Sequence, residues 1–288
     1  MPVNLTVVGQ TEVGLVRQTN EDAFVIADLT GGSLLDEQNM TRFEVGQRGV
    51  LLAVSDGMGG HQAGEVASAL VVESLRRSMA RQPSLVPGDA LLEKAAQRAN
   101  RDVWKAAHVP GRERMGATLT AVFIQGQTAH IAEVGDSRAY LVRSGKIKQV
   151  TKDQSYVQLM VDSGAMSPEQ AKESEFSSVI LQAMGLKETV QIALGRLDLR
   201  QRDCFLLCSD GLSSLVNDDE IRDVVLTAGP LDAVCGKLVD LAMKRGGSDN
   251  ITVIVGGVSG DLPALVVGES ISDTLLVVQD FNVRPSSP

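Results

Sequence analysis

The stretch Val50-Leu51-Leu52-Ala53-Val54-Ser55-Asp56-Gly57-Met58-Gly59-Gly60-His61-Gln62-Ala63-Gly64-Glu65 constrains the fold more than any other part of the chain. Five apolar residues in a row read as a strand buried on both faces. That run gives way to a single acid, Asp56, and four glycines fall within the next eight positions. Glycines let the backbone turn tightly and come close to whatever Asp56 holds. A helical pattern opens near Gly64, with Val66, Ala67, Leu70, Val71, Leu75 and Met79 recurring at helical spacing. An acid at the mouth of a buried strand, beside backbone free of side chains, suits a hard metal ion. The same pattern also fits a glycine-rich strand-to-helix turn whose Asp caps a backbone N–H.

Around this centre the period of the apolar residues sets the other elements. Leu5 to Gly9 and Ala23 to Asp28 read as strands, joined by a connector that carries Arg17, Glu21 and Asp22, and residues 28–48 read as a long polar loop. A second helix is expected from Asp89 to His108. From Gly116 the spacing changes to alternation. Ala117 to Ile124, Thr128 to Val134, Arg138 to Arg143 and Ile147 to Val150 form an antiparallel meander with Gly135-Asp136-Ser137 at one of its turns. Residues 151–190 are more polar and predict short helices, one of them capped at Ser167-Pro168-Glu169-Gln170. The buried strand Asp203 to Cys208 ends in Ser209-Asp210-Gly211, helices follow from Asn217 and from Leu231, and Asp249-Asn250 leads into a strand from Ile251 to Val258. Thr274 to Val278 is an apolar patch that could dock as an extra strand. Helix pairs alternating with strand runs predict a sandwich rather than a doubly wound parallel sheet.

Charge and cysteine usage remove several functions. A net charge of −9 argues against a nucleic-acid or anionic-membrane surface. Cys204, Cys208 and Cys235 make an odd number, and the first two lie in or beside one apolar run, so they read as buried thiols in a reducing compartment. With three histidines and no Cys-x-x-Cys pair, a Cys/His zinc site is not expected. The N-terminus lacks the pattern of a signal peptide, and no apolar run approaches the ~20 residues of a membrane span. A cytoplasmic protein is expected.

Acids recur at one kind of place: Asp56, Asp136, Asp210 and Asp249 each stand at a strand–loop junction beside glycine or a small residue, and Glu21-Asp22 adds a fifth. Any one of them fits a turn or a helix cap. Carboxylates gathered at one end of a sheet would repel strongly if bare, and divalent cations relieve that repulsion. An all-oxygen donor set suits Mg2+ or Mn2+, and two such ions about 4 Å apart can activate a water and clamp a phosphate for in-line attack. Arg17 would add a bidentate grip on phosphoryl oxygens.

Six motifs then stand in order: Arg17-x-x-Asn20-Glu21-Asp22, Asp56-Gly57-Met58-Gly59-Gly60-His61, Gly116-Ala117-Thr118, Gly135-Asp136-Ser137-Arg138, Ser209-Asp210-Gly211-Leu212 and Ser248-Asp249-Asn250-Ile251-Thr252. Together they resemble the motif set of the bacterial metal-dependent Ser/Thr protein phosphatases of type 2C, over about residues 5–258. The resemblance implies an α+β fold, a four-layer α-β-β-α sandwich of two central antiparallel sheets flanked by helix pairs. It implies that Asp56 bridges two metals, that the Gly57 carbonyl binds one of them, and that Asp210 and Asp249 complete the first site. Glu21 would reach the second metal, Asp136 with Asp210 would form a third and weaker site, and Arg17 would bind the substrate phosphate. Asp22, His61 and Asn250 would stand just behind the ligands. Two departures are visible. Met58 occupies the position of a histidine found in many eukaryotic members, which leaves protonation of the leaving group to water or His61. In the flap, relatives carry Asp-His-Ser and Asn-Val-x-x-Arg-Ala-x-Gly, where this chain has Asp153-Gln154-Ser155 and Ser178-Val179-Ile180-Leu181-Gln182-Ala183-Met184-Gly185.

The resemblance leads to one expectation of activity: hydrolysis of phosphoserine and phosphothreonine in proteins by a metal-activated water, with two or three Mn2+ or Mg2+ ions and no phosphoenzyme. Residues 1–258 would form the catalytic domain, with a flap at about 151–190, and 259–288 an appendage. The implied partners are phosphorylated Ser/Thr proteins, a bacterial Ser/Thr protein kinase and its substrates, met by a monomer with no nucleic acid and no membrane. A catalytically weak phosphoprotein-binding adaptor on the same fold is the alternative, and a two-metal phosphodiesterase or nuclease is disfavoured by the acidic charge.

Overall fold

A computed structural model of the chain describes residues 2–32, 34–35, 40–59, 63–81, 86–266 and 268–282. Strands β1 (Val3–Glu12), β2 (Asp22–Asp28), β3 (Leu34–Leu35), β4 (Thr41–Glu44) and β5 (Val50–Met58) lead into helices α1 (Ala63–Ala80) and α2 (Gly88–Ala106). The meander follows as β6 (Gly116–Ala117), β7 (Leu119–Gln125), β8 (Thr128–Val134), β9 (Arg138–Arg143) and β10 (Lys146–Gln149). Residues 151–190 carry α3 (Tyr156–Asp162) and α4 (Pro168–Lys172), and β11 (Ala193–Asp198) and β12 (Cys204–Cys208) return the chain to the sheets. Helices α5 (Asp210–Ser213), α6 (Asp218–Thr227) and α7 (Leu231–Lys244) precede β13 (Ile251–Gly260), and α8 (Ile271–Thr274) and β14 (Leu275–Gln279) close the described chain.

Among the described residues the strands form two antiparallel sheets. One runs β10-β9-β12-β13-β1-β4, the other β14-β11-β8-β7-β5-β2-β3, with β6 paired to the end of β5. Three apolar layers hold four structural layers together. Val25, Leu51, Ala53 and Phe123 meet Ala67, Val71, Leu75, Leu92 and Ala99 of α1 and α2. Leu52, Val54, Val122 and Ile131 face Leu5, Val7, Leu141, Phe205 and Leu207 across the gap between the sheets. On the far side Leu206, Val253 and Val255 pack on Ile221, Val234 and Leu238 of α6 and α7. The expected α+β four-layer sandwich is therefore the observed one, and both central sheets read as near-continuous apolar runs because each is covered on both faces.

Strand parity then decides where the polar residues point. In β5, Leu52 and Val54 face the other sheet while Leu51 and Ala53 face the helices, and in β2, Ile26 faces the sheet and Val25 the helices. Alternation at period two puts Asp56 and Asp22 on the inter-sheet side, and the two residues are direct cross-strand partners. The opposite sheet repeats the pattern, with Phe205 and Leu207 of β12 and Ile254 of β13 facing inward, so Ser209 and Thr252 follow onto that face. At one end the apolar layer between the sheets thus ends in a polar one.

Two sequence expectations are corrected. Residues 28–48 are not simply a loop: β3 pairs with β2, and β4 pairs with β1. In β4 Phe43 alone is buried, so alternation is too weak to read along the chain. Strand β11 is also not marked in the sequence, because Gly195 and the exposed Arg196 separate its two buried leucines, Leu194 and Leu197. The apolar patch at Thr274 to Val278 does add a strand, with β14 pairing to β11. Its hinge is tied down by buried groups. Arg143 and Asp203 form an ion pair at 2.6 Å with side chains only 2% and 0% exposed, and Arg143 also donates to the Thr274 hydroxyl at 2.6 Å.

Candidate metal centre

The connector from β1 to β2 is shaped by one buried side chain. Asn250 accepts from the Glu21 backbone N–H at 2.7 Å and donates to the carbonyls of Val13 and Thr19 at 2.8 and 2.9 Å. Gly14, at φ +84°, lets this connector lie against the Asp249 carbonyl, which a Cβ there would approach to 2.3 Å. The connector brings Arg17 to Asp249, where guanidinium and carboxylate pair at 2.7 Å on a half-exposed edge. The Glu21 carboxylate packs against Gly64, whose missing side chain leaves the space it occupies. Gly57 donates its N–H to the Glu21 carbonyl at 3.0 Å.

Asp22 is buried where the two sheets meet. Its Oδ2 accepts from Ser209 Oγ and from Thr252 Oγ1, both at 2.7 Å, so one carboxylate ties the second sheet to the first. Its Oδ1 is buried without a partner among the described residues, as is Oδ1 of Asp210. Asp56 holds its place by exchanging bonds with Thr118: its N–H donates to Thr118 Oγ1 at 2.9 Å and its carbonyl accepts from the Thr118 N–H at 2.8 Å. Asp210 opens α5, and its charge reaches Asp56. Asp136 sits at the β8–β9 turn beside Arg138, which is locked to Asp153 by paired bonds of 2.9 and 2.7 Å.

The electrostatics record how crowded this end is. Burial pushes the Asp56 carboxyl well above its ordinary range, and the charges of Asp22, Asp210, Asp136 and Asp249 push it further. Asp22 rises to about 7, through burial first and then the charges of Asp210 and Asp249, against the pull of its two hydroxyl donors. Asp136 rises to about 8 through burial and the neighbouring Asp210. Asp210 is raised by burial and by Asp249, and Glu21 by burial, partly offset by Arg17. Five acids from five separate junctions therefore act on one another through low-dielectric surroundings.

The acids converge without closing. Among the described residues no three or more His, Cys, Asp or Glu side chains surround one point as ligands of an ion. Asp249 is paired with Arg17 at the rim. The donor set nevertheless fits a hard divalent cation. It is all oxygen, two buried carboxylate oxygens lack partners, and the acids share an excess of negative charge. Asp22 bonds Ser209 and Thr252, Asn250 bonds the connector backbone, and His61 lies outside the described residues.

Four of the five hydroxyl residues in the motifs take a role in the fold. Ser209 and Thr252 hold Asp22, and Thr118 and Ser137 meet at 2.7 Å beneath Asp56 and Asp136. Their signal in the sequence is parity: each shares the parity of the inward apolar residues of the adjoining strand. Arg138 and Asp153, fifteen residues apart, carry no such signal.

The family model described as Protein phosphatase 2C matches residues 29–234. The serine/threonine protein phosphatase PstP of Mycobacterium tuberculosis is 39% identical over 254 residues, covering 86% of this chain and 44% of that protein. This chain thus spans less than half the length of that relative. The serine/threonine phosphatase Stp of Listeria welshimeri is 31% identical over 250 residues, covering 85% of this chain and 93% of that protein. The crystal structure of the PstP catalytic domain in complex with two manganese ions superposes with a TM-score of 0.74 at 34% identity, covering 90% of this chain and all of that one.

Proposed function

This chain belongs to the protein phosphatase 2C family, and from that membership we propose that it hydrolyses phosphoserine and phosphothreonine monoesters in proteins, with two or three Mn2+ or Mg2+ ions bound. The observation that carries the reading is the convergence of Asp22, Asp56, Asp136, Asp210 and Asp249 at one end of both sheets, with buried carboxylate oxygens left unpartnered. When bound, the ions would cancel the crowded negative charge and supply a nucleophile from water near neutral pH.

The residues divide that work. Asp56, the Gly57 carbonyl, Asp210 and Asp249 would hold the first ion, Asp56 and Glu21 the second, and Asp136 with Asp210 the third. Asp22 keeps Ser209 and Thr252 in register behind them, and Asn250 keeps the Arg17–Glu21 connector in place. Arg17, half-exposed and tethered to Asp249, offers a planar fork of donors to phosphoryl oxygens at the rim. A cysteine nucleophile is unsupported, since Cys204, Cys208 and Cys235 are buried thiols pushed up to about 12. Residues 1–258 would carry catalysis with 151–190 as flap, and the chain would act as a monomer opposite a Ser/Thr protein kinase.

The test is hydrolysis of p-nitrophenyl phosphate and of a phosphothreonine peptide with Mn2+, with EDTA, and by Asp210→Ala. Turnover with Mn2+ that falls to background in the other two arms is expected. Activity that survives EDTA or Asp210→Ala overturns the mechanism, and a folded protein that binds Mn2+ without turning over either substrate points to the adaptor.

A further inference from the structure

Gln154 and Gln182, two of the three flap positions at which this chain departs from the family pattern, are bonded to each other, and Gln154 is bonded to the turn that carries Asp136. Gln154 is 1% exposed. Its backbone N–H donates to the Gly135 carbonyl at 2.8 Å and its Oε1 accepts from the Gly135 N–H at 2.9 Å, so both polar groups of Gly135 are held by one residue. Its Nε2 donates to the Glu133 carbonyl at 3.2 Å, and its own carbonyl accepts from the Leu181 N–H at 2.7 Å. Gln182 Nε2 donates to Gln154 Oε1 at 2.8 Å and to the Gln191 carbonyl at 2.5 Å, while Gln182 Oε1 accepts from the Gln191 N–H at 3.2 Å. Gln191 Oε1 in turn accepts from the Asn282 N–H at 3.3 Å, just beyond β14.

Asp136 is therefore a single residue suspended between two fixed ones. On one side Gly135 is held by Gln154. Its φ of +104° and the 2.7 Å approach of a Cβ to Thr118 restrict it to glycine, so its backbone is free to move unless something binds it. On the other side Ser137 is held by Thr118 Oγ1 at 2.7 Å and by Thr120 Oγ1, which donates to its carbonyl at 2.6 Å. The Ser137 anchor belongs to the sheets. The Gly135 anchor belongs to the root of the flap. The amide is the group this position needs, because it accepts twice and donates at the same time and stays uncharged at any working pH. Its orientation is fixed by partners of opposite kind, the Gly135 N–H on one atom and the Glu133 carbonyl on the other.

We propose that Gln154 is a positioning residue for Asp136, and that Gln182 relays the position of the flap to it, so that displacement of the flap alters how Asp136 is presented at the centre. The proposal rests on the reading that Asp136 faces a cation, but its main test does not. In the metal-free protein, with the whole chain present, amide hydrogen exchange at Gly135 is measured for wild type, Gln154→Ala, Gln182→Ala and the double variant. Gln154→Ala should speed exchange at Gly135 by about tenfold, the effect of removing one hydrogen bond at a site that opens locally. Gln182→Ala should speed it as well, although Gln182 does not touch Gly135, and the double variant should fall short of the product of the two effects. The Mn2+ concentration for half-maximal turnover of p-nitrophenyl phosphate should rise about tenfold in Gln154→Ala, as for a residue that orients a ligand. Gln182 lies partly exposed on the flap, so its variant keeps the test available should Gln154→Ala not fold. Exchange at Gly135 unmoved by Gln182→Ala removes the relay. Exchange in Gln154→Ala that rises equally throughout both sheets makes Gln154 merely structural, and either outcome overturns the proposal whether or not the protein proves to be a phosphatase.

Discussion

At the scale of single residues, the centre is built by side chains that bind backbone rather than substrate. Asn250 is the clearest case, since its three bonds stitch a connector of otherwise irregular backbone to the start of β13. Asn250→Ala should lower stability by about 2–3 kcal/mol in urea unfolding, since it strands a buried N–H and two carbonyls. It should also raise KM for phosphate esters more than it lowers kcat, because Arg17 rides on the same connector. A variant with wild-type stability would mean that the connector holds its shape without the clamp. Asn250 was legible as a motif member, but its three partners lie at residues 13, 19 and 21, and nothing along the chain links those numbers.

At the scale of elements, the C-terminal segment is the part whose sequence says least about its packing. Read along the chain, residues after 258 are an appendage. In the fold, β14 extends a central sheet and α8 presents Thr274 to the buried Arg143–Asp203 pair. Arg143 donates to Asp203, to Thr274 and to the Asp198 carbonyl, so each oxygen counts against the cost of burying the charge. Thr274→Val, close in shape, should cost about 1–3 kcal/mol in chemical denaturation by leaving one guanidinium N–H buried without an acceptor. No change in the denaturation midpoint would place water or another acceptor at that N–H. Helices and long strands were readable because each buries one continuous stripe. Strands β4 and β11 were not, because one buried phenylalanine, or two buried leucines split by a glycine and an arginine, leaves no period to detect.

At the scale of the whole molecule, gathering acids at one end of two sheets stores repulsion that depends on pH. Asp22 and Asp136 titrate at about 7 and about 8 in the folded protein, above the ordinary carboxylate range they would have unfolded, and Asp56 and Asp210 shift the same way. The folded metal-free protein thus binds more protons than the unfolded chain between about pH 4 and pH 8, and stability falls as pH rises through that window. In EDTA the melting temperature should drop by about 5 °C or more from pH 5.5 to pH 8.5. Mn2+ should restore more at pH 8.5 than at pH 5.5, where it must displace protons. Differential scanning calorimetry across that range, with and without Mn2+, is the check. A melting temperature in EDTA that holds or rises would show that the carboxylates are not crowded in solution.

The sequence by itself determined the layers and the chemical class of the centre. Apolar periodicity is a local property of the chain, and so is the habit of ending a buried strand in an acid beside glycine. What only the tertiary structure decided is which residues meet. Asp22 reaching Ser209 and Thr252, Arg143 reaching Thr274, and Gln182 reaching Gln154 all depend on register across sheets and on loops that return from far along the chain. Such contacts carry no periodic signal, because a hydrogen bond specifies a partner in space and leaves its separation in sequence free.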